Sequence, residues 1–87
     1  MSNSTHALRS RAASLRALAA AIETTPAMHL DRDAGIDTWR GPRPAACYRV
    51  LIDAQRRVHE AAEELRREAW ELELRAEELE YLARVLG

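Results

Sequence analysis

The sequence predicts an all-α protein: an antiparallel helical hairpin that completes a four-helix bundle by dimerisation. The chain is rich in Ala, Leu, Glu and Arg, which lose little side-chain entropy in a helix. Apolar residues recur in steps of four and three, a coiled-coil-like spacing. Apart from Gly87, every Pro and Gly lies within residues 26–44, between the two periodic segments. We therefore expect one domain, residues 1–87, with two helices joined by a connector.

The first helix is expected at about residues 4–25. Ser4 or Thr5 can cap its start, and Pro26 disfavours helix at the residue before it. Its apolar stripe consists of Leu8, Ala12, Leu15, Ala19 and Ile22.

Residues 26–41 form the predicted connector. Thr25 as N-cap, Pro26 as first helical residue and Gly35 just past the end would make a short helical piece. An irregular segment is the alternative.

The second helix is expected at about residues 42–86. Pro42 and Pro44 suit its first turn, where their missing N–H groups are not needed. One position is apolar at every seventh residue: Leu51, Val58, Leu65, Leu72, Leu79 and Leu86. Acid-to-arginine i,i+4 pairs, including Asp53–Arg57 and Glu80–Arg84, indicate that other faces are solvated.

The two helices carry the same stripe, so an antiparallel pair would bring the stripes together. The predicted core stripe consists of Leu8, Leu15, Ile22, Leu51, Val58, Leu65, Leu72 and Leu79. The predicted register places Ile22 near His59, Leu15 near Arg66 and Leu8 near Glu73. Two helices cannot enclose a core, so a partner chain is expected.

A second apolar stripe lies on the second helix, roughly opposite the first. We interpret it as a partner interface, because a helix with one neighbour needs only one apolar face. A simpler reading is that a few large apolar residues are exposed. The candidates are Tyr48, Ile52, Trp70, Leu74, Tyr81 and Val85.

The residue pattern favours no catalytic chemistry. His6, His29 and His59 have no metal-ligand spacing, and the pair His59–Glu63 is typical of a surface contact. Cys47 has no evident His partner and is expected to pack near the turn. A net charge of −1 argues against nucleic acid, and no apolar run is long enough for a membrane span. We expect a protein that is not an enzyme, with no metal, no cofactor and no membrane insertion.

The connector contains a Trp-x-Gly motif, Trp39-Arg40-Gly41, between the two helices. Helix, Trp-x-Gly turn and helix in a chain just under 100 residues long resemble the WXG family, the early-secreted-antigen-like proteins of type VII secretion. Trp39 and Gly41 match the two fixed positions of the motif, as turn or docking residues.

The resemblance implies a homodimer, or a heterodimer with a related hairpin or the N-terminal helical domain of a larger effector. It implies a cytoplasmic protein before export, secreted with its partner and reaching the secretion ATPase indirectly. Family members usually carry Tyr followed four residues later by an acid, whereas Tyr81 is followed by Val85 and Tyr48 by Ile52. We therefore expect this chain to be the member of a pair that lacks the export signal. The alternative is a cytoplasmic coiled-coil adaptor or structural dimer unrelated to secretion.

Overall fold

A computed structural model describes residues 2–87, and the described chain is helical with no strand, which confirms the all-α prediction. Along the chain, two long helices flank three short helical pieces. The elements are α1 (Ser2–Glu23), a 3₁₀ turn (Pro26–His29), α2 (Leu30–Asp33), a second 3₁₀ turn (Ile36–Trp39) and α3 (Pro42–Leu86).

α1 packs antiparallel along the C-terminal part of α3. Arg9 near the start of α1 contacts Glu80, and Glu23 at its end contacts Arg66. The 45 residues of α3 give a helix about 67 Å long at roughly 1.5 Å per residue. That length sets the long dimension of the molecule, which measures 68 × 15 × 13 Å.

The start of α1 differs from the expected cap. The helix already includes Ser2, so Ser4 and Thr5 lie inside its first turns and neither is the N-cap. Thr5 is buried there. At the other end, the hydroxyl groups of Thr24 and Thr25 donate to the carbonyl oxygens of α1. The bond from Thr25 to Ile22 supplies a donor to a carbonyl group at the helix end, whereas Ala20 and Ala21 also accept from the backbone N–H of Thr24.

The connector adopts the helical alternative rather than the irregular one. Pro26 opens the first 3₁₀ turn, α2 follows directly, and Gly35 lies just past its end with φ +82°. Gly41 precedes α3 with φ +97°. Such positive φ values suit residues without a Cβ, which explains glycine at both positions.

The fully buried seam between α1 and α3 consists of alanines. These are Ala12, Ala19, Ala62, Ala69 and Ala76, each with no exposed surface. All eight residues of the predicted core stripe are half-buried. Small alanines let the two backbones approach closely, so the larger side chains lie at the edges of the contact.

The register predicted for α1 is wrong by up to about one heptad. The sequence predicts Leu15 beside Arg66, but Arg16, which follows Leu15, contacts Glu73. The connector explains the shift, because it folds back against the start of α3. Gln55 donates there to the carbonyl oxygen of Ala27. The connector therefore occupies the N-terminal part of α3, and the contact with α1 lies closer to the C-terminus of α3.

Candidate partner interface

Trp39 lies inside the connector and against α3. Its Nε1 donates to the backbone oxygen of Asp31 at 3.2 Å. Its ring lies 5.2 Å from that of Tyr48, centroid to centroid, with the planes tilted by 31°. Tyr48, a predicted partner residue, therefore makes a contact within its own chain, although 36% of it remains exposed.

Hydrogen bonds from Gln55 on α3 hold the connector against that helix. The Gln55 side chain donates to the carbonyl oxygen of Ala27 at 2.9 Å and to the Asp31 carboxylate at 3.0 Å. The bond from Gln55 is the main reason that the pKa of Asp31 lies below its usual value. Met28 is buried in the same region. The Trp-x-Gly turn is thus a packed cap and not a loose loop.

Cross-helix ion pairs line one side of the α1–α3 contact. They are Arg9 with Glu80, Arg16 with Glu73, and Glu23 with Arg66 and His59. We name these seven residues the charge ladder. The members on each helix are spaced by seven residues and follow a Leu, Ile or Val of the core stripe by one position. The ladder was missed in the sequence, although its seven-residue spacing was visible there.

Glu23 is the most strongly perturbed group of the ladder. Hydrogen bonds from Arg66 first, and then from His59 at 2.7 Å, lower the pKa of Glu23 to about 2. The pKa of Glu73 is lowered mainly by its hydrogen bond from Arg16. The ladder therefore favours the charged forms of Glu23 and Glu73.

Two sequence expectations about surface pairs need correction. His59 contacts Glu23 on α1 and not Glu63 on its own helix. Glu80 contacts Arg9 across the helix pair, where Arg84 was expected. The expected Asp53–Arg57 pair is present at 2.5 Å.

The other flank of the α1–α3 contact carries two large apolar residues, Leu18 and Leu82, among the charged residues Arg11, Glu68 and Arg75. Leu18 and Leu82 each follow a core-stripe leucine by three positions, whereas the ladder residues follow by one. In a helix these two positions lie on opposite sides of the stripe. Leu18 is 50% exposed and Leu82 is 45% exposed. We call this side, with the half-buried leucines beside it, the open flank.

The face of α3 turned away from α1 carries the predicted second stripe. Trp70 and Tyr81 are more than half exposed, and Ile52, Leu74 and Val85 are also exposed. The sequence reasoning missed Leu18 and Leu82 because it searched only α3 for a second stripe and only opposite the first.

The surface offers no arrangement for catalysis or metal binding in the part of the chain that the structure describes. No group of three His, Cys, Asp or Glu residues could hold a metal ion there. His29 is in contact with Arg32, and Cys47 is exposed rather than packed near the turn. Within the same residues, no helix combines the length and apolar character that crossing a membrane requires.

Comparison with known proteins identifies no relative: no family model, no curated protein and no solved structure matches the chain. What the chain does must therefore be inferred from its helices, its connector and its exposed apolar surfaces.

Proposed function

We propose that this chain is a non-enzymatic helical hairpin that acts as a type VII secretion substrate or partner. It would dimerise with itself or with a related effector hairpin, and a four-helix bundle would be the exported unit. The observation that carries the partner requirement is the composition of the core. Among the described residues, no large side chain is fully buried and the seam is alanine.

The half-buried leucines give the partner requirement a physical reason. Covering a large apolar side chain contributes about 1.5–3 kcal/mol relative to leaving it exposed. On the open flank, Leu18 and Leu82 lie beside the exposed parts of the half-buried leucines of both helices. Two helices of a second hairpin laid on this flank would cover these edges, as in a four-helix bundle.

The connector supports the type VII part of the proposal. Trp39 and Gly41 lie between the two long helices, as the family resemblance requires, although α1 ends at Glu23 and does not continue to the turn as it usually does in the family. Part of the Trp39 ring remains accessible, so the turn can present it to a second protein.

Light scattering coupled to size exclusion tests the partner requirement. We expect a dimer or a larger assembly for the chain alone or with its genomic neighbour, and Leu18→Glu with Leu82→Glu should lower the measured mass by removing the open-flank contact. Ser10→Glu with Ala17→Glu places two charges on exposed positions of α1 away from the flank and serves as the control. A cooperatively folded monomer with and without the neighbour would contradict the proposal.

Export is tested separately, by expressing the chain in a type VII-competent host with and without its genomic neighbour. We expect the chain in the medium only when the neighbour is present, and less of it for Trp39→Ala. Equal secretion of the lone chain would show that it carries its own signal. A stable dimer that is never exported would favour the cytoplasmic adaptor.

A further inference from the structure

The outer face of α3, opposite α1, carries two exposed apolar patches at its two ends. The first patch is Tyr48 and Ile52, and the second is Trp70, Leu74 and Tyr81. Ile52 and Trp70 are 18 residues apart, which is five full helical turns, so both point to the same side. This face borders the charge ladder at Arg9, which lines a hollow with Trp70 and Leu74. It borders the open flank at Leu82, which lines another hollow with Leu74 and Tyr81.

The two patches have rims of opposite charge. Arg49, Arg56 and Asp53 border the first patch, which leaves a net charge of +1 there, whereas Glu77, Glu78 and Arg84 border the second, with a net charge of −1. The same polarity extends through the helix. Residues 42–57 contain four Arg and one Asp, and residues 58–86 contain nine Glu and four Arg.

Helix stability alone does not explain this polarity. The helix macrodipole favours acids in the first turn and bases in the last turn. α3 has no acid in its first turn, and its acids accumulate toward the C-terminal end. An antiparallel neighbour of the same sequence would, in contrast, place each basic rim beside an acidic one.

We propose that the outer face of α3 binds the outer face of α3 from a second copy of this chain, in antiparallel orientation. The patch at residues 48–56 of one copy would lie on the patch at residues 70–81 of the other, twice in the symmetric pair. Charge complementarity of the rims selects this occupant, because parallel packing would oppose like charges at both ends. The contact does not depend on the type VII assignment, and it reaches the open flank only at Leu82.

The patches also fix the register of the pair. Pairing Ile52 with Leu74 brings Arg49 to Glu77, and it brings Arg56 to Trp70, where a cation–π contact forms. Each of these pairs has its midpoint at Glu63, which therefore lies on the two-fold axis. The two Glu63 side chains meet at the axis, and Glu60 of one copy lies within one residue of the position opposite Arg67 of the other. Neither Glu60 nor Arg67 makes an ion pair within the described chain.

Charge reversal tests the chemistry of the contact. An acidic variant carries Arg49→Glu and Arg56→Glu, and a basic variant carries Glu77→Arg and Glu78→Arg. Glu and Arg have similar helix propensity, so α3 should remain intact. We expect each variant alone to lose this association at low salt, and an equimolar mixture to regain it. The parent contact should weaken near 1 M salt, where the Debye length is about 3 Å.

Cross-linking tests the geometry and separates this contact from the open flank. In a Cys47→Ser background, Glu63→Cys lies on the proposed axis and should form an intermolecular disulfide. Ala61→Cys, two residues away on the open-flank side, should not form one in a Leu18→Glu background, which disrupts the open flank and leaves Leu82 at the border of the second patch unchanged. Cross-linking at position 61 alone, or unchanged association of both charge variants, would overturn the proposal. Neither result would affect the proposed function, which requires the open flank.

Discussion

The two ends of α3 are covered in different ways. Toward the C-terminus, α1 packs on it through a repeated alanine seam and the charge ladder. Toward the N-terminus, the connector covers it through single contacts, Trp39 with Tyr48 and Asp31 with Gln55. The first end depends on a pattern repeated every seven residues, whereas the second depends on individual side chains. The first should therefore dominate global stability, and the second should open locally.

The largest expected effect is at the leucine stripe of the C-terminal end. Truncation of a fully buried leucine costs roughly 2–5 kcal/mol, and about half of that is expected for half-buried Leu72 in a monomer. We therefore expect the effect of Leu72→Ala on the unfolding free energy to rise with protein concentration. Urea titrations over a range of concentrations measure this, with Leu86→Ala, which is 81% exposed, as control. A small effect at every concentration would show that no partner covers the stripe.

Enlarging the alanine seam should be the next most damaging change. Ala69 has no exposed surface, so Ala69→Leu must push the helices apart, at a cost of about 1–3 kcal/mol. Ala46→Leu adds the same side chain at an exposed position of the same helix and should be nearly neutral. Thermal melts of the two variants at one concentration make the comparison. Equal melting temperatures would mean that the seam is not closely packed.

Removing Trp39 should affect the connector and leave the helix pair in place. Trp39→Ala loses the ring contact with Tyr48 and the hydrogen bond to Asp31. We expect faster amide exchange in residues 26–41, with exchange in α1 and the C-terminal half of α3 unchanged. Trp70→Ala, at an exposed site, should leave the connector amides as they are. Global unfolding of Trp39→Ala would place Trp39 in the main core and contradict the division into two ends.

The smallest expected effect is the pH dependence at the junction of the two ends. The pKa of Glu23 is about 2 in the folded chain, below the roughly 4.3 of an unfolded glutamate. Its contribution to stability is therefore fully present above pH about 4.3 and is lost as the pH falls toward 2.

Chemical denaturation at several pH values, comparing the parent with Glu23→Gln, measures this contribution. The difference in unfolding free energy should be largest near neutral pH and should shrink toward pH 2. Glu71→Gln, at an exposed position outside the charge ladder, is the control. A constant difference for Glu23→Gln would mean that the carboxylate gains nothing from Arg66 and His59.

The sequence was sufficient for the features that repeat. The heptad spacing and the positions of Pro and Gly predicted two long helices, and an all-α chain is what the structure has. The register failed because the extent of the connector was unknown: Gln55 binds backbone at Ala27, and no periodicity signals such a bond. The spacing of Arg9, Arg16 and Glu23 against Arg66, Glu73 and Glu80 could have supplied the register. The partner surfaces depend on what covers them, so a single chain reveals only their exposure.

The alanine seam alone does not select the register in which α1 packs on α3. Ala12 and Ala19 are identical in size, as are Ala62, Ala69 and Ala76, so sliding α1 by one heptad would present the same small side chains to each other. A slip in one direction would instead bring Arg16 to Arg66, and a slip in the other direction would bring Glu23 to Glu73, so either slip sets one pair of like charges side by side. The ion pairs thus select the register of the two helices, and the alanines set how closely the helices approach. High salt should therefore allow more than one register of α1 on α3 before it separates the helices.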